Sequence, residues 1–244
     1  MKILDLLQNW LRPDRLSGAA AQPTSLANQR NDKMKIAVIG TGNVGSGFAT
    51  RLAASGHDVV TVGSSVAKGQ DLADRIVAAG HAATAASLAD AVAMSDVIAL
   101  AIPYSVATGL VGKAALDGKI VIDLTNPVKE DFSGLSVGHT TSAAEEIAAA
   151  APKARVVKGF NTIFAEIYTD GPELSGRAAP TFIASDDDEA KKVVSGLATD
   201  MGFDPVDAGG LTNARYIEPL AYLNIQFGYM LGHGTKVAPA WLSR

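Results

Sequence analysis

Lys35-Ile36-Ala37-Val38-Ile39-Gly40-Thr41-Gly42-Asn43-Val44-Gly45 is the stretch that decides the fold of this chain. Its first five residues are a short apolar run, as in a strand covered on both faces. The next six fit the spacing G-x-G-x-x-G and open a segment from Asn43 to Ser55. In that segment Val44, Phe48 and Leu52 recur every four residues, with Ala49 and Ala53 beside them, which predicts a helix packed on a sheet. Gly56 stops the helix, and Asp58-Val59-Val60-Thr61-Val62 supplies a second strand. Strand, glycine turn, helix and strand within about 30 residues is the context that makes the hexapeptide specific for a dinucleotide. Gly40 permits the tight turn, Gly42 lets a pyrophosphate approach the backbone, and Gly45 lets the helix lie close to the strand. The free amides at the helix start then face the phosphates.

Working outward, short β-branched runs alternate with alanine-rich helical segments every 20 to 30 residues or about that, the rhythm of a parallel sheet. Strands are predicted over Lys35–Ile39, Asp58–Val62, His81–Thr84, Asp96–Ala101, Lys119–Leu124 and Arg155–Lys158, with two more over Pro180–Ala184 and Asp204–Asp207. The expected architecture is α/β: a Rossmann-type doubly wound parallel sheet in the order 3-2-1-4-5-6. Strands seven and eight and the last helix would form a small C-terminal lobe on the acceptor side. Residues 34–160 are expected to be the dinucleotide-binding domain and 161–244 the segment that binds the acceptor and a second subunit. Residues 1–33 read as a flexible N-terminal extension. Ile3, Leu4, Leu7, Trp10 and Leu11 could share a helix face, Asp5 interrupts any signal-peptide core, and Arg12 to Lys33 has no period that buries a face.

Composition narrows the function. A chain of 244 residues, 48% hydrophobic, can bury one substantial core, or one core plus a small lobe. Its 21 basic and 25 acidic residues leave a net charge of -4, which supplies no field suited to a polyanion, so nucleic acid is not an expected partner. The absence of cysteine excludes disulfides, thiolate catalysis, Cys-ligated zinc and Cys-ligated iron-sulfur clusters. Redox chemistry would therefore come from a bound organic cofactor. No apolar run approaches the roughly 18 to 20 residues of a membrane span, and a cytoplasmic protein with no membrane partner is expected.

Cofactor choice is read from the end of the second strand, where NAD-binding sheets commonly place Asp or Glu on the adenosine ribose. Here the chain reads Val62-Gly63-Ser64-Ser65. Two hydroxyls, Ser64 and Ser65, with Lys68 nearby, suit a 2'-phosphate, so NADPH is expected over NADH. Ile102 and Pro103 close the fourth strand and Asn126 and Pro127 the fifth. Ligands in such sheets lie outside the carboxyl ends, so these loops are expected to flank the nicotinamide half.

At this point the chain resembles the F-420-dependent NADP oxidoreductases, from about Met34 to the C-terminus. The resemblance is carried by Gly40-Thr41-Gly42-Asn43-Val44-Gly45, Val62-Gly63-Ser64, Ala101-Ile102-Pro103-Tyr104 and Ser142-Ala143-Ala144-Glu145. It continues in Phe160-Asn161-Thr162-Ile163-Phe164-Ala165, Asp186-Asp187-Asp188-Glu189-Ala190-Lys191 and Asp207-Ala208-Gly209-Gly210-Leu211. The resemblance implies hydride transfer between NADP(H) and coenzyme F-420, a deazaflavin, or a flavin-type ring acceptor. It further implies that the acceptor ring lies over the nicotinamide near Asn161, Thr162 and Phe164. The family pattern usually carries Arg where this chain has Ser65.

Other dehydrogenase classes lack their signatures. None of Tyr104, Tyr168, Tyr216, Tyr222 and Tyr229 has a Lys four residues on, as short-chain dehydrogenases require. Hydroxyacid and imine-reducing enzymes carry a large helical domain after the sheet, and here about one long helix remains. The histidines offer no obvious general acid: His57 and His81 fall in turns at the far edge of the sheet, and His139 and His233 follow glycine in loops. A conjugated ring acceptor asks instead for stacking and alignment. Ser185 is expected to cap the helix that follows, with Asp186, Asp187 and Asp188 as a solvated first turn rather than a metal site. Arg215 and Glu218 either pair with each other or leave Arg215 to reach an anionic coenzyme tail. The last helix, Asn213 to Leu231, is apolar on most sides, which suggests a homodimer. An alternative to the enzyme is a non-catalytic NADP(H)-binding module that senses redox state.

Overall fold

A computed structural model describes residues 33–241. The strands β1 (Lys35–Ile39), β2 (Asp58–Val62), β3 (Ala83–Ala85), β4 (Val97–Leu100), β5 (Ile120–Asp123) and β6 (Arg155–Lys158) form one parallel sheet in the expected order, 3-2-1-4-5-6. Pleating sends alternate side chains to opposite faces. Ile36 and Val38 of β1 enter one core with Phe48, Leu52, Ile76 and Val194, while Ala37 and Ile39 enter the other with Val92, Val111 and Ile147. Both faces are covered, so β1 shows no polar alternation.

The helices account for the two cores. On the first face lie α1 (Asn43–Ala54) and α2 (Val66–Ala78); on the second, α3 (Leu88–Met94), α4 (Tyr104–Val111) and α5 (Ala143–Ala150). The first face also takes α6 (Ala165–Asp170) and, past a short antiparallel pair of β7 (Glu173–Leu174) and β8 (Arg177–Ala178), the helix α7 (Asp188–Asp200). Phe48 of α1 meets Phe160 and Tyr168 edge-on, with ring centroids 5.0 and 5.8 Å apart. Gly47 permits this: a Cβ there would stand 2.9 Å from the Cβ of Tyr168.

The seventh and eighth expected strands are β9 (Pro180–Ile183) and β10 (Asp204–Asp207), which pair in parallel as a separate sheet. It is joined to β6 by reciprocal backbone bonds between Lys158 and Ala184, 2.9 and 3.0 Å long. The third strand begins at Ala83 rather than His81, and β4, β5 and β9 are each shorter than expected by one or two residues, Ala184 leaving β9 to bridge Lys158 of β6.

Two local readings are corrected. The cap of α7 is Asp187, whose carboxylate accepts from the Ala190 amide at 2.9 Å, and not Ser185. Ser185 is buried between strands, where its hydroxyl donates to the Val156 carbonyl at 2.7 Å. Asp187 also receives two bonds from Arg155, at 2.6 and 2.7 Å, which hold its carboxyl far below the ordinary range. Asp186 accepts from the Leu211 amide and Asp188 lies 3.6 Å from Lys191, so the three acids have separate partners. Among the described residues no group of three His, Cys, Asp or Glu converges on a metal-sized space.

The last helix is also shorter than Asn213–Leu231. After a 3-10 turn at Leu211–Asn213, α8 runs from Ala214 to Ile225, and Gln226–Met230 widens into a π-turn. The π-turn seats Gly228 against Phe164, where a Cβ would lie 2.6 Å from the ring. The reading of residues 1–32 falls outside the described residues. Among those described, no helix is long and apolar enough to cross a membrane.

Candidate active site

The glycine turn stands at the carboxyl end of β1, with the Gly40 amide bonded to the Val62 carbonyl at 2.8 Å. Two of its glycines are demanded by the protein itself. Gly40 has φ of +115°, and a Cβ there would meet the Ala101 carbonyl oxygen at 2.1 Å. A Cβ on Gly45 would meet the Gly40 oxygen at 2.1 Å. Gly42 is different. Its φ of -72° suits any residue, and no atom lies within 4 Å of where its Cβ would be. Neither conformation nor packing calls for glycine there; the open space at its Cβ position leaves the backbone free for a close approach from outside, as the fingerprint's second glycine allows a pyrophosphate. Gly42→Ala is accordingly expected to leave the melting temperature within about 2 °C of the parent, since its fold cost is a fraction of about 1 kcal/mol. The same change should weaken NADPH binding by about tenfold or more, read by calorimetry; unchanged affinity would remove the pyrophosphate from this turn.

A cavity of about 620 Å³ opens beside the turn. It is lined by Gly40, Thr41 and Gly42 of the turn, by Ile102 and Pro103 after β4, and by Ser64 and Lys68 after β2. Two of the residues read from sequence behave otherwise. Ser65 does not line the cavity; its hydroxyl caps α2, accepting from the Lys68 amide at 3.3 Å. Arg75, which sequence reasoning missed, does line it, together with Asp71. Its signal was available: Arg75 follows Lys68 by seven residues, two helical turns, and so shares its face.

A second cavity of about 260 Å³ lies between the carboxyl ends of β5 and β6 and α8. Here the fold gathers Asn43 and Val44 from the first turn of α1 with Asn126, Asn161, Thr162 and Phe164. The Asn126 amide donates to the Asn161 backbone carbonyl at 2.8 Å, and the Asn161 amide returns a bond to Asn126 Oδ1 at 2.9 Å. Phe164 is both a core residue and a wall, standing edge-on to Tyr229 at 5.5 Å. Pro127 lines neither cavity; its carbonyl accepts from the amide and hydroxyl of Ser136, which fixes the loop behind Asn126.

Beneath this loop is a buried ion cluster that sequence reasoning did not find. Lys158, the last residue of β6, places its fully buried ammonium 2.9 Å from Asp123, 3.0 Å from Glu218 and 2.6 Å from the Thr125 carbonyl. Burial depresses its pKa, but Asp123 and Glu218 together outweigh that and hold it above the ordinary lysine value. Glu218 also accepts from the Ala143 and Ala144 amides at the start of α5. Arg215 therefore does not pair with Glu218, nor is it free for a coenzyme tail. It grips Glu145 with two bonds, at 2.6 and 2.8 Å, because α8 crosses α5 and offers each charge a stronger partner there.

The hydroxyl of Tyr104, beside the Ile102-Pro103 loop, is also committed. Burial and its bond to Glu146 raise its pKa, so it is a poor proton donor. His57 lies at the amino end of the sheet, where its Nδ1 accepts from the Met34 amide and its Nε2 faces Asp200 at 3.3 Å.

A doubly wound sheet with a fingerprint glycine turn, a cationic pocket at the end of β2 and a second cavity beyond β5 and β6 defines a Rossmann-type dinucleotide-binding fold. Residues 35–127 match the family described as NADP oxidoreductase, coenzyme F420-dependent. The F420-dependent NADP reductase of Methanothermobacter marburgensis is 33% identical over 207 residues, 79% of this chain and 91% of that protein. A solved structure, a putative F420-dependent NADP reductase from Arthrobacter sp. FB24, is 31% identical and superposes with a TM-score of 0.74. It covers 86% of this chain and 100% of that one. Metalloreductase STEAP3 of Rattus norvegicus is 35% identical over 196 residues, but the chain spans only 38% of its length. The chain belongs to the F420-dependent NADP oxidoreductase family.

Proposed function

We propose that this chain transfers a hydride between NADP(H) and a planar ring acceptor, either a deazaflavin such as coenzyme F-420 or a flavin. The observation that carries the reading is the wall between the two cavities. Gly40, Thr41 and Gly42 line the larger and their immediate successors Asn43 and Val44 the smaller, so a ligand along the glycine turn ends beside the second space. Bound NADP(H) supplies the hydride chemistry. The turn would hold its pyrophosphate, Ser64, Lys68 and Arg75 its 2'-phosphate, and Asn126 and Asn161 would border its reactive ring. Val44, Phe164, Ile225 and Tyr229 give the second cavity flat apolar walls suited to stacking. Neither His nor Lys lines it, and Tyr229, which does, is made a poorer donor by burial and the charge of Glu166, which disfavours a carbonyl substrate that needs such an acid; a conjugated ring spreads the arriving charge itself. The names of the Methanothermobacter and Arthrobacter relatives support the same acceptor class.

Steady-state oxidation of NADPH with a panel of deazaflavin, flavin, carbonyl and imine acceptors tests this. Turnover is expected with the first two classes alone. Cofactor binding with no turnover of any acceptor would favour the redox-sensing module and sink the proposal.

A cytoplasmic homodimer completes the reading, its interface formed by the outer face of α8. Tyr216 and Trp241 are each 73% exposed and Leu223 50%, around an apolar groove of about 640 Å³ continuous with Leu220. An exposed patch of this kind marks an association surface, and an apolar helix face can meet the same face of a second copy about a two-fold axis. Sedimentation at micromolar concentration should give a dimer that Leu223→Glu converts to monomer. A native monomer would overturn the assignment, whatever segment of its own chain covers the groove.

A further inference from the structure

Buried polar side-chain atoms almost always have partners, because leaving one unpaired forfeits the hydration it lost on folding. Among the described residues five such atoms have none, and three of them belong to residues lining the smaller cavity: Asn161 Oδ1, Thr162 Oγ1 and Glu166 Oε2. Asn161 is 7% exposed and Thr162 3%, so both are nearly withdrawn from bulk solvent. Their neighbours are already committed. The Asn161 amide nitrogen is bonded to Asn126, and the Thr162 carbonyl accepts from Asn224 at 3.0 Å. Glu166 lines the cavity with Tyr229, whose phenol pKa is raised by burial and by the charge of Glu166.

The chemical character of the three atoms is specific. Glu166 Oε2 and Asn161 Oδ1 can only accept, whereas the Thr162 hydroxyl can donate. A cavity whose lining residues carry unpartnered acceptors and a donor suits an amide or imide, which presents N–H beside C=O. We propose that this cavity is a recognition subsite for the N–H-bearing edge of a planar ring, with Glu166 accepting from the N–H and Thr162 donating to the adjacent carbonyl. Two rings of the reaction carry that edge: the carboxamide of the nicotinamide, and the pyrimidine-dione of a flavin or deazaflavin. The second source rests on the ring-acceptor reading above; the first does not. Glu166 and Thr162 thus select which ring settles here and in which orientation, while the apolar walls hold its faces.

Two pairs of probes differ only in the N–H: lumiflavin against 3-methyllumiflavin, and NADP⁺ against its 3-acetylpyridine analogue. Dissociation constants for the full chain are measured by flavin fluorescence quenching in the presence of NADP⁺, and by calorimetry for the dinucleotides. A bond to a charged acceptor corresponds to roughly ten- to a hundredfold, so one pair should differ by about that factor. Discrimination within the flavin pair identifies the acceptor as the occupant, and discrimination within the dinucleotide pair identifies the carboxamide. Glu166→Ala should bring that ratio to about one while leaving the other pair unchanged. Equal binding within both pairs by the native protein overturns the inference without any variant, and a ratio that survives Glu166→Ala removes Glu166 from it. If lumiflavin fails to bind while the dinucleotide pair discriminates, the subsite stands with the carboxamide in it and flavin drops out as the acceptor.

Discussion

Lys158→Met is expected to lower the free energy of unfolding by about 3 to 5 kcal/mol, the range for removing one member of a buried ion cluster. The ammonium is the sole cation in contact with both Asp123 and Glu218 among the described residues, and all three side chains are buried. Methionine fills the volume but leaves two carboxylates facing each other with no countercharge. It also strips the Thr125 carbonyl of its 2.6 Å donor. Lys158→Met combined with Glu218→Gln should recover part of the loss, because one of the stranded charges is gone. The pH dependence has a definite sign. The folded pKa of Lys158 is raised above its ordinary 10.5, so its contribution is fully present below that value and is lost as pH rises through the folded one. The gap between native and variant should therefore stay constant from about pH 6 to 9 and narrow only in strong alkali. Urea unfolding across that range checks both points; a loss under about 1 kcal/mol would mean that the cluster is not what joins β5, β6 and α8.

Ser64→Asp is expected to reverse cofactor preference. In the native protein Ser64, Lys68 and Arg75 border the cavity at the end of β2, with two cations against the single carboxylate of Asp71. One good charged hydrogen bond is worth roughly 1.5 to 3 kcal/mol, and about 1.4 kcal/mol is tenfold, so NADPH should lead NADH by about ten- to a hundredfold in kcat/KM. Aspartate at position 64 would repel the 2'-phosphate and accept from the ribose hydroxyls, so NADH should lead instead. Arg75→Ala should weaken NADPH by about tenfold and leave NADH unchanged, as befits a side chain that meets only the phosphate. Ser65→Arg, the change that would restore the usual family residue, carries a penalty the sequence does not show. It removes the cap of α2, worth about 1 kcal/mol, at a position that does not line the cavity. Equal use of both cofactors by the parent, or no response to Ser64→Asp, would place the 2'-phosphate elsewhere.

The larger cavity was mostly legible in advance and the smaller one only in outline. Gly40, Gly42 and Gly45 act through backbone shape at fixed spacing, so their roles follow from the string of letters once a strand precedes and a helix follows. Lys68 was legible from its place beside Ser64 and Ser65, and Arg75 carries a weaker signal, the same helix face two turns on, whose meaning depends on the folded cavity that both border. Asn161, Thr162 and Phe164 came from resemblance, without the reason for their grouping. That reason, a set of unpartnered oxygens that includes Glu166, exists only when distant segments are packed and their hydrogen bonds can be counted.

By itself the sequence determined the strands, the glycine turn and the two faces of α1, because these depend on periods of two and about four residues and on local turn chemistry, and the strand order followed from the fold that the glycine fingerprint implies. Only the tertiary structure decided who pairs with whom. Arg215 and Glu218 sit three residues apart and read as a pair. Arg215 nevertheless joins Glu145, 70 residues away, while Glu218 joins Lys158 and the α5 amides. The cap of α7 moved from Ser185 to Asp187 for the same reason, since the buried Val156 carbonyl needed a donor and Ser185 supplied it. Spacing specifies backbone geometry, which is local. Charges and buried polar groups take whichever partner leaves fewest of them unsatisfied, and that choice is made across the whole fold.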